Sequence, residues 1–342
     1  MPALGLSTYR WNNNLKSMAL LAAFPLLLLA LLGGIFYLTG LAYADAGGML
    51  DRGMLMGFGV ADPGVATPFD LARYAVYEYW PIVLGVAVVW VLLGYLFNDA
   101  MIRAATGAKP LARSEAPEPY NLLENLCISR GMKTPNLYVI DTPVMNAYAS
   151  GMNEGNYNVT VTRGLLERLD KAELEAVLAH ELTHIMNRDV RLLVVAVVFT
   201  GMISFLAQMM WRGLRYASYG RGDRRGRGTA VLMIVAAVLL WVGYVLALVI
   251  RFALSRKREY LADAGSVELT KNPEAMISAL EKISGNAMLG DVPSEVRQMF
   301  VENPPSAFSL FDTHPPIEDR IRILRELGGL PPEGKSVIPR AG

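Results

Sequence analysis

Four long apolar runs, none holding a charged residue, constrain this chain more than any other feature. They cover 17–44, 79–97, 192–211 and 229–250. At 1.5 Å per helical residue each is long enough to cross a hydrocarbon core of about 30 Å. Lipid offers the backbone no hydrogen bonds, so such runs must be helical. Pro25 and Gly33-Gly34 are expected kink points in the first, and Tyr79, Trp80 and Trp211 stand at run ends, where amphipathic rings favour the interface. The composition agrees: 53% of the 342 residues are apolar and 18% are charged. The first run is too long for the apolar core of a signal peptide, and Ala42-Tyr43-Ala44 is a weak cleavage site, so it reads as a retained anchor.

Lys and Arg beside the runs set the expected orientation. Arg10 and Lys16 precede the first, Arg103, Lys109 and Arg113 follow the second, and Arg251, Arg256, Lys257 and Arg258 follow the fourth. The loop between the first two is acidic, with Asp45, Asp51, Asp62, Asp70 and Glu78 against Arg52 and Arg73. This places the N-terminus and both large polar segments in the cytoplasm. The loop 212–228, with six arginines against Asp223, argues the other way. Six arginines can instead bind anionic headgroups. The net charge of +1 gives no global field for nucleic acid. Cys127 is the single cysteine, so no internal disulfide forms, and it reads as a small buried apolar residue.

The chain divides into a membrane region (1–97), a first polar segment (98–191), a membrane hairpin (192–250) and a second polar segment (251–342). The two polar segments read as halves of one domain. In the first, 119–130 is helical, 136–141 is a strand between Pro135 and Pro143, and 157–162 alternates as a half-buried strand. That second strand is either an ordinary edge strand or one that pairs with an extended peptide. Asp170 then opens a helix with Glu173 at capping-box spacing. In the second half, Asn272-Pro273 starts a helix through Met276, Leu280 and Ile283. A long loop is expected over 285–313, and Pro315-Pro316 opens a last helix, 317–327, before a frayed tail.

The chemistry concentrates in His180-Glu181-Leu182-Thr183-His184. Two imidazoles about one helical turn apart leave one face together, and two neutral nitrogen ligands at that spacing suit zinc. Glu181 stands beside the first ligand. It is the expected general base that takes a proton from the attacking water and hands it to the leaving amine. Leu174, Val177, Leu178 and Ile185 give the helix an apolar stripe. Zinc needs a third protein ligand. Glu259 is the candidate, because Glu259-Tyr-Leu-Ala-Asp263 puts Asp263 one turn further on the same face, where it can accept the second imidazole proton of a ligand histidine. The competing reading of Glu259 is a surface acid among Arg256, Lys257 and Arg258. His184 lies eight residues before the third run and Glu259 nine after the fourth, so both stand at about 12–14 Å from the hydrocarbon edge if the helices continue.

Three other classes fit less well. An intramembrane protease would bury the motif in a span, but Lys171, Glu173, Glu175, Arg188 and Asp189 surround it. A transporter would carry ionisable groups within its spans. A dead scaffold would have lost Glu181 or a ligand.

His-Glu-Leu-Thr-His, the run Ser255 to Asp263, Thr313-His-Pro-Pro and the run Met145 to Gly151 occur in this order. Together they resemble peptidase family M48, its HtpX-like membrane-bound branch, over about 118–328 and in the four-span layout. The loop 45–78 is longer than expected for that branch. The resemblance implies an α+β gluzincin-type zinc metalloprotease domain with four transmembrane helices, mainly α overall. It implies one Zn2+ per chain and endopeptidase activity against membrane or misfolded proteins at a bacterial inner membrane. It also implies that Asn146 and Ala147 line the substrate cleft, and that His314 and Arg320 stabilise the oxyanion or position the peptide. From the residues alone, Asn146 can instead serve a turn and His314 can merely precede a Pro-started helix, each the weaker alternative.

Overall fold

The structure, a computed structural model, describes residues 6–44, 48–57, 59–62, 64–195, 256–284 and 315–331, with single positions at 198, 208, 212, 238, 241 and 242. The chain forms two compact units. One comprises 18–94 and 198–249, the other 1–17, 95–197 and 250–342.

Among the described residues, the first unit is built on two long helices. α1 runs Leu6–Tyr43 with Pro25 inside it, and α3 runs Pro68–Thr106 with Pro81 inside it. α3 exceeds the apolar run 79–97 at both ends. Its start is fixed by Thr67 and Asp70. The Asp70 carboxylate accepts from the Thr67 amide and hydroxyl, and the Asp70 amide donates to Thr67 Oγ1. Pro68 follows at the first helical position, where its missing N–H costs nothing. Both helices are long and apolar enough to span a membrane. Ile82, Val86, Val89, Leu93 and Leu96 of α3 are all exposed, a continuous apolar surface that water would not tolerate and lipid favours. The connection between them is not a bare loop. A short helix α2, Arg52–Gly57, helps Leu50, Leu55, Val60, Val65 and Leu71 close a small apolar cluster. The third and fourth apolar runs, apart from a few positions, lie outside the described residues.

The second unit holds a four-stranded sheet in the order β1-β2-β4-β3. The strands are β1 Lys109–Pro110, β2 Asn136–Ile140, β3 Ala147–Ser150 and β4 Asn158–Thr162. β1 is antiparallel to β2, β2 parallel to β4, and β3 antiparallel to β4. This corrects the reading of 157–162. The alternation Asn-Val-Thr-Val-Thr suggests one dry and one wet face, yet all five residues of β4 are buried. The polar face is a hydrogen-bonded layer: Asn158 donates to Asp99 and accepts from Asn136, and Thr162 exchanges bonds with Asn146. β4 is also flanked on both edges, so no peptide can add to it.

Helices pack around one central helix. α4 is Pro117–Ser129, α5 Arg163–Arg168 and α6 Lys171–Met186. After the hairpin come α7 Arg256–Thr270, α8 Pro273–Ile283 and α9 Ile317–Gly328. α6 lies against α4, α7, α8 and β3, and is buried on nearly all sides from Leu174 to Thr183. Its expected capping box is present: Asp170 accepts from the Glu173 amide and Glu173 from the Asp170 amide. Glu173 also accepts from Ser278 and Lys282, which pins α8 to the first turn of α6. Asn272 caps α8 by accepting from the Ala275 amide. Residues 285–314 and 332–342 lie outside the described residues, and with them the expected loop, His314 and the tail.

Candidate metal centre

α6 carries His180 and His184 one turn apart, and α7 lies close alongside it. The close approach depends on Gly265. A β carbon there would press on the Thr183 side chain, with Thr183 Oγ1 only 2.6 Å away. One residue on, Ser266 donates to the carbonyl of Ala176 at 2.7 Å and sets the two helices along each other. Glu259, two turns earlier on α7, is thereby delivered to the histidines.

The three expected ligands meet. His180 Nε2 and His184 Nε2 are 3.2 Å apart. Glu259 Oε2 lies 3.7 Å from the first and Oε1 3.7 Å from the second. Ligand atoms of the three residues all lie within 4.8 Å of one another. Glu259 is 8% exposed, so it is not the surface acid its basic neighbours suggest.

The far nitrogens explain why these atoms face inward. His180 Nδ1 lies 3.0 Å from Asp263 Oδ1, and His184 Nδ1 lies 3.1 Å from Asp189 Oδ2. A carboxylate beside each Nδ1 favours the proton at that nitrogen, so that each Nε2 can offer its lone pair to a metal in place of a proton (a carboxylate is acceptor-only when ionised). Two lone pairs and the Glu259 carboxylate then converge on one point. That arrangement is repulsive unless a proton or a metal cation occupies it. Bonds of about 2.0–2.1 Å in a tetrahedral zinc site put two nitrogen ligands about 3.3 Å apart, and the separation here is 3.2 Å. The donor set therefore fits zinc.

The field around the site is anionic. Burial alone would lower the His180 imidazole, but the Asp263 and Glu259 carboxylates outweigh it and raise its pKa to about 9. Burial raises Glu181, which is 2% exposed, above the ordinary carboxyl range. Burial would likewise raise Asp263, but the Arg320 guanidinium overrides it and holds Asp263 below its usual value. Arg320 is 1% exposed and grips Asp263 with two bonds, Nε to Oδ2 at 2.9 Å and Nη2 to Oδ1 at 2.6 Å.

Asn146 is buried at the start of β3. Its Oδ1 accepts the Ala147 amide, and its backbone exchanges bonds with Thr162. Ala147 begins β3 itself, against α6. Nothing in the sequence pattern marks Asp189 as part of the site. Five residues beyond His184 on an unbroken helix it would lie about 140° round the axis. A break at 187–188 brings it back, and nothing at 187–188 announces that break beyond Asn187, a weak helix-stop signal.

Peptidase family M48 matches as a family over residues 116–328. The chain is 42% identical over 337 residues to a Protease HtpX homolog of Bacteroides fragilis, covering 95% of this chain and 100% of that one. It is 39% identical over 268 residues to a Protease HtpX homolog of Dictyoglomus thermophilum, covering 75% of this chain and 87% of that one. The crystal structure of S. mikatae Ste24p is similar with a TM-score of 0.47 and 18% identity, over 92% of this chain and 66% of that chain. With the two-histidine helix, the glutamate on α7 and a family match covering more than half its length, the chain belongs to peptidase family M48 and is a metalloprotease.

Proposed function

We propose that the chain is an integral membrane zinc endopeptidase that hydrolyses peptide bonds of membrane or misfolded proteins. The observation that carries this reading is the convergence of His180, His184 and Glu259 in a domain continuous with membrane-length helices. These three residues hold the metal. Bound zinc would supply Lewis acidity toward the scissile carbonyl and lower the pKa of a water. Glu181 supplies the rest. Its raised pKa suits it to take the proton of the attacking water and return it to the leaving amine. Asp263 orients His180. Arg320, through its two bonds to Asp263, holds that carboxylate in place, and its charge also acts on Glu181. The oxyanion role implied for Arg320 and His314 stays part of the proposal; His314 lies outside the described residues.

β3 is the proposed substrate strand. Asn146 faces β4, since the Thr162 amide donates to its carbonyl. Residues two apart share an edge, so Tyr148 and Ser150 also face β4, while Ala147 and Ala149 turn their backbone groups to the other side. An extended peptide bonding there would be read through its main chain and would lie against α6.

Both polar segments, 98–191 and 251–342, are proposed to form one protease domain on the cytoplasmic face of a bacterial inner membrane. The motivation is that His184 and Glu259 meet, so the hairpin 192–250 makes an even number of crossings. Cysteines at Ser114, Ser218 and Ser306 in a Cys127→Ser background, probed with an impermeant maleimide in intact cells, are expected to label at Ser218 alone. Labelling at Ser114 and Ser306 instead would move the domain outside the cytoplasm.

The direct test of the mechanism is Glu181→Gln. The variant is expected to keep zinc and lose casein hydrolysis in detergent by about 100-fold or more, since an amide accepts no proton from water. Near-normal turnover of zinc-loaded Glu181→Gln would remove Glu181 as the base.

A further inference from the structure

Each metal-facing histidine leans on a buried carboxylate, and each carboxylate has a buried arginine beside it. For His180 the pair is Asp263 and Arg320. For His184 it is Asp189, which is 0% exposed, and Arg258, which is 5% exposed. The second pair has no counterpart in the sequence reading and is assembled differently.

α6 ends at Met186, with Asn187 as its C-cap. Arg188 then adopts φ of 60°, the left-handed region, and helical backbone resumes at 189–195. For a residue other than glycine that conformation costs about 1–2 kcal/mol. The turn it makes returns Asp189 to the side of α6 that carries His184. There Asp189 Oδ2 meets His184 Nδ1 at 3.1 Å. Its other oxygen, Oδ1, lies 3.9 Å from Arg258 Nη1, an ion-pair distance too long for a hydrogen bond. Arg258 immediately precedes Glu259. One buried ion pair thus connects the supports of two ligands that come from different helices.

We propose that Asp189 is the positioning residue of the second imidazole. By accepting the Nδ1 proton it fixes the tautomer and aim of His184, and Arg258 holds Asp189 in place from the Glu259 side. The physical basis is general: an imidazole with its far N–H engaged presents its other nitrogen as a ligand and does so without rotational search. The inference rests on the reading of His180, His184 and Glu259 as metal ligands.

The test uses the full chain in detergent. Zinc affinity is measured by chelator competition, and the Co2+-substituted protein is followed by its visible ligand-field spectrum. Asp189→Asn preserves volume and a neutral acceptor but removes the charge. It is expected to lower zinc affinity by about tenfold and to shift the Co2+ spectrum. Glu173→Gln is the structural control, since Glu173 is buried on the same helix and bonds Ser278 and Lys282, away from the histidines. It is expected to lower thermal stability and leave the spectrum unchanged. A zinc affinity of Asp189→Asn within threefold of wild type, or a Co2+ spectrum superimposable on wild type, overturns the proposal. Absence of Zn2+ and Co2+ binding in the wild-type chain would be a different failure, that of the ligand set itself.

Discussion

The two histidines of the centre are supported by the same kinds of group at different ranges. His180 is supported from a distance: Asp263 comes from α7 and Arg320 from α9, closing at 2.6 and 2.9 Å. His184 is supported locally: Asp189 is five residues away, and its arginine stands off at 3.9 Å. The difference has a physical consequence. The first support exists only when α6, α7 and α9 have assembled, so the geometry of His180 reports the tertiary fold. The second is made chiefly by the end of α6 and depends on one left-handed residue. The imidazole that is fully buried has the long-range support, and the imidazole that is partly exposed has the local one.

The arginines offer the largest break in that comparison. Arg320→Met keeps much of the side-chain volume but leaves Asp263 buried without its cation. Breaking a buried pair on one side costs about 3–5 kcal/mol. Arg258→Met removes only an ion-pair contact at 3.9 Å, with no hydrogen bond to lose, and is expected to cost less, about 1–2 kcal/mol. Chemical denaturation of the two variants in detergent should show this order. Equal losses would mean that the long-range and local supports do not differ in strength, and a larger loss for Arg258→Met would invert the account.

A second change acts on the distance between the ligand helices. Gly265→Ala places a methyl against Thr183, beside His184. Overpacking of this kind costs about 1–3 kcal/mol. Because the clash separates α6 from α7, it should weaken the contribution of Glu259 while leaving the His184–Asp189 bond intact. Zinc affinity is therefore expected to fall with stability, and the activity remaining at saturating zinc reports how far the helices have moved. Wild-type affinity and stability in Gly265→Ala would show that the two helices can repack without cost.

What was legible in the sequence follows the same division. The cluster of His180, His184 and Glu259 is readable because it is periodic: His180 and His184 share a helix face by spacing, as do Glu259 and Asp263, and the capping box at Asp170 and the cap at Asn272 are local rules. β4 departs from its half-buried pattern because alternation reports polarity and not solvent. Asn158, Thr160 and Thr162 are polar and buried, and Asn158 and Thr162 are satisfied by Asp99, Asn136 and Asn146, partners that no local pattern discloses. Asp189 escaped for a related reason: one residue at positive φ changes which face it belongs to. Arg320 was flagged only through a family resemblance, and its bond to Asp263 spans 57 positions, beyond the reach of any periodicity.

The smallest expected effect supplies the baseline for the others, because it concerns a buried carboxylate on α6 with no link to the metal. Burial raises the Glu173 carboxyl, but Lys282, Ser278 and the Asp170 amide outweigh it, so its folded pKa is lowered. A carboxyl with a lowered folded pKa contributes stability that is fully present above its unfolded value, about 4.3. That contribution is lost as the pH falls through the folded value. Glu173→Gln keeps the cap geometry, since glutamine serves in a capping box, and loses the charge opposite Lys282. It is expected to cost about 1 kcal/mol near neutral pH. Melting curves of the two proteins should converge as the pH falls below the unfolded value, about 4.3, and through the lowered folded value, where the wild-type carboxyl is also neutral. A gap that stays constant over that range would assign the loss to shape and not to charge. A fall in zinc affinity on the same substitution would break the separation between the carboxylates that hold α6 in the fold and those that aim its histidines.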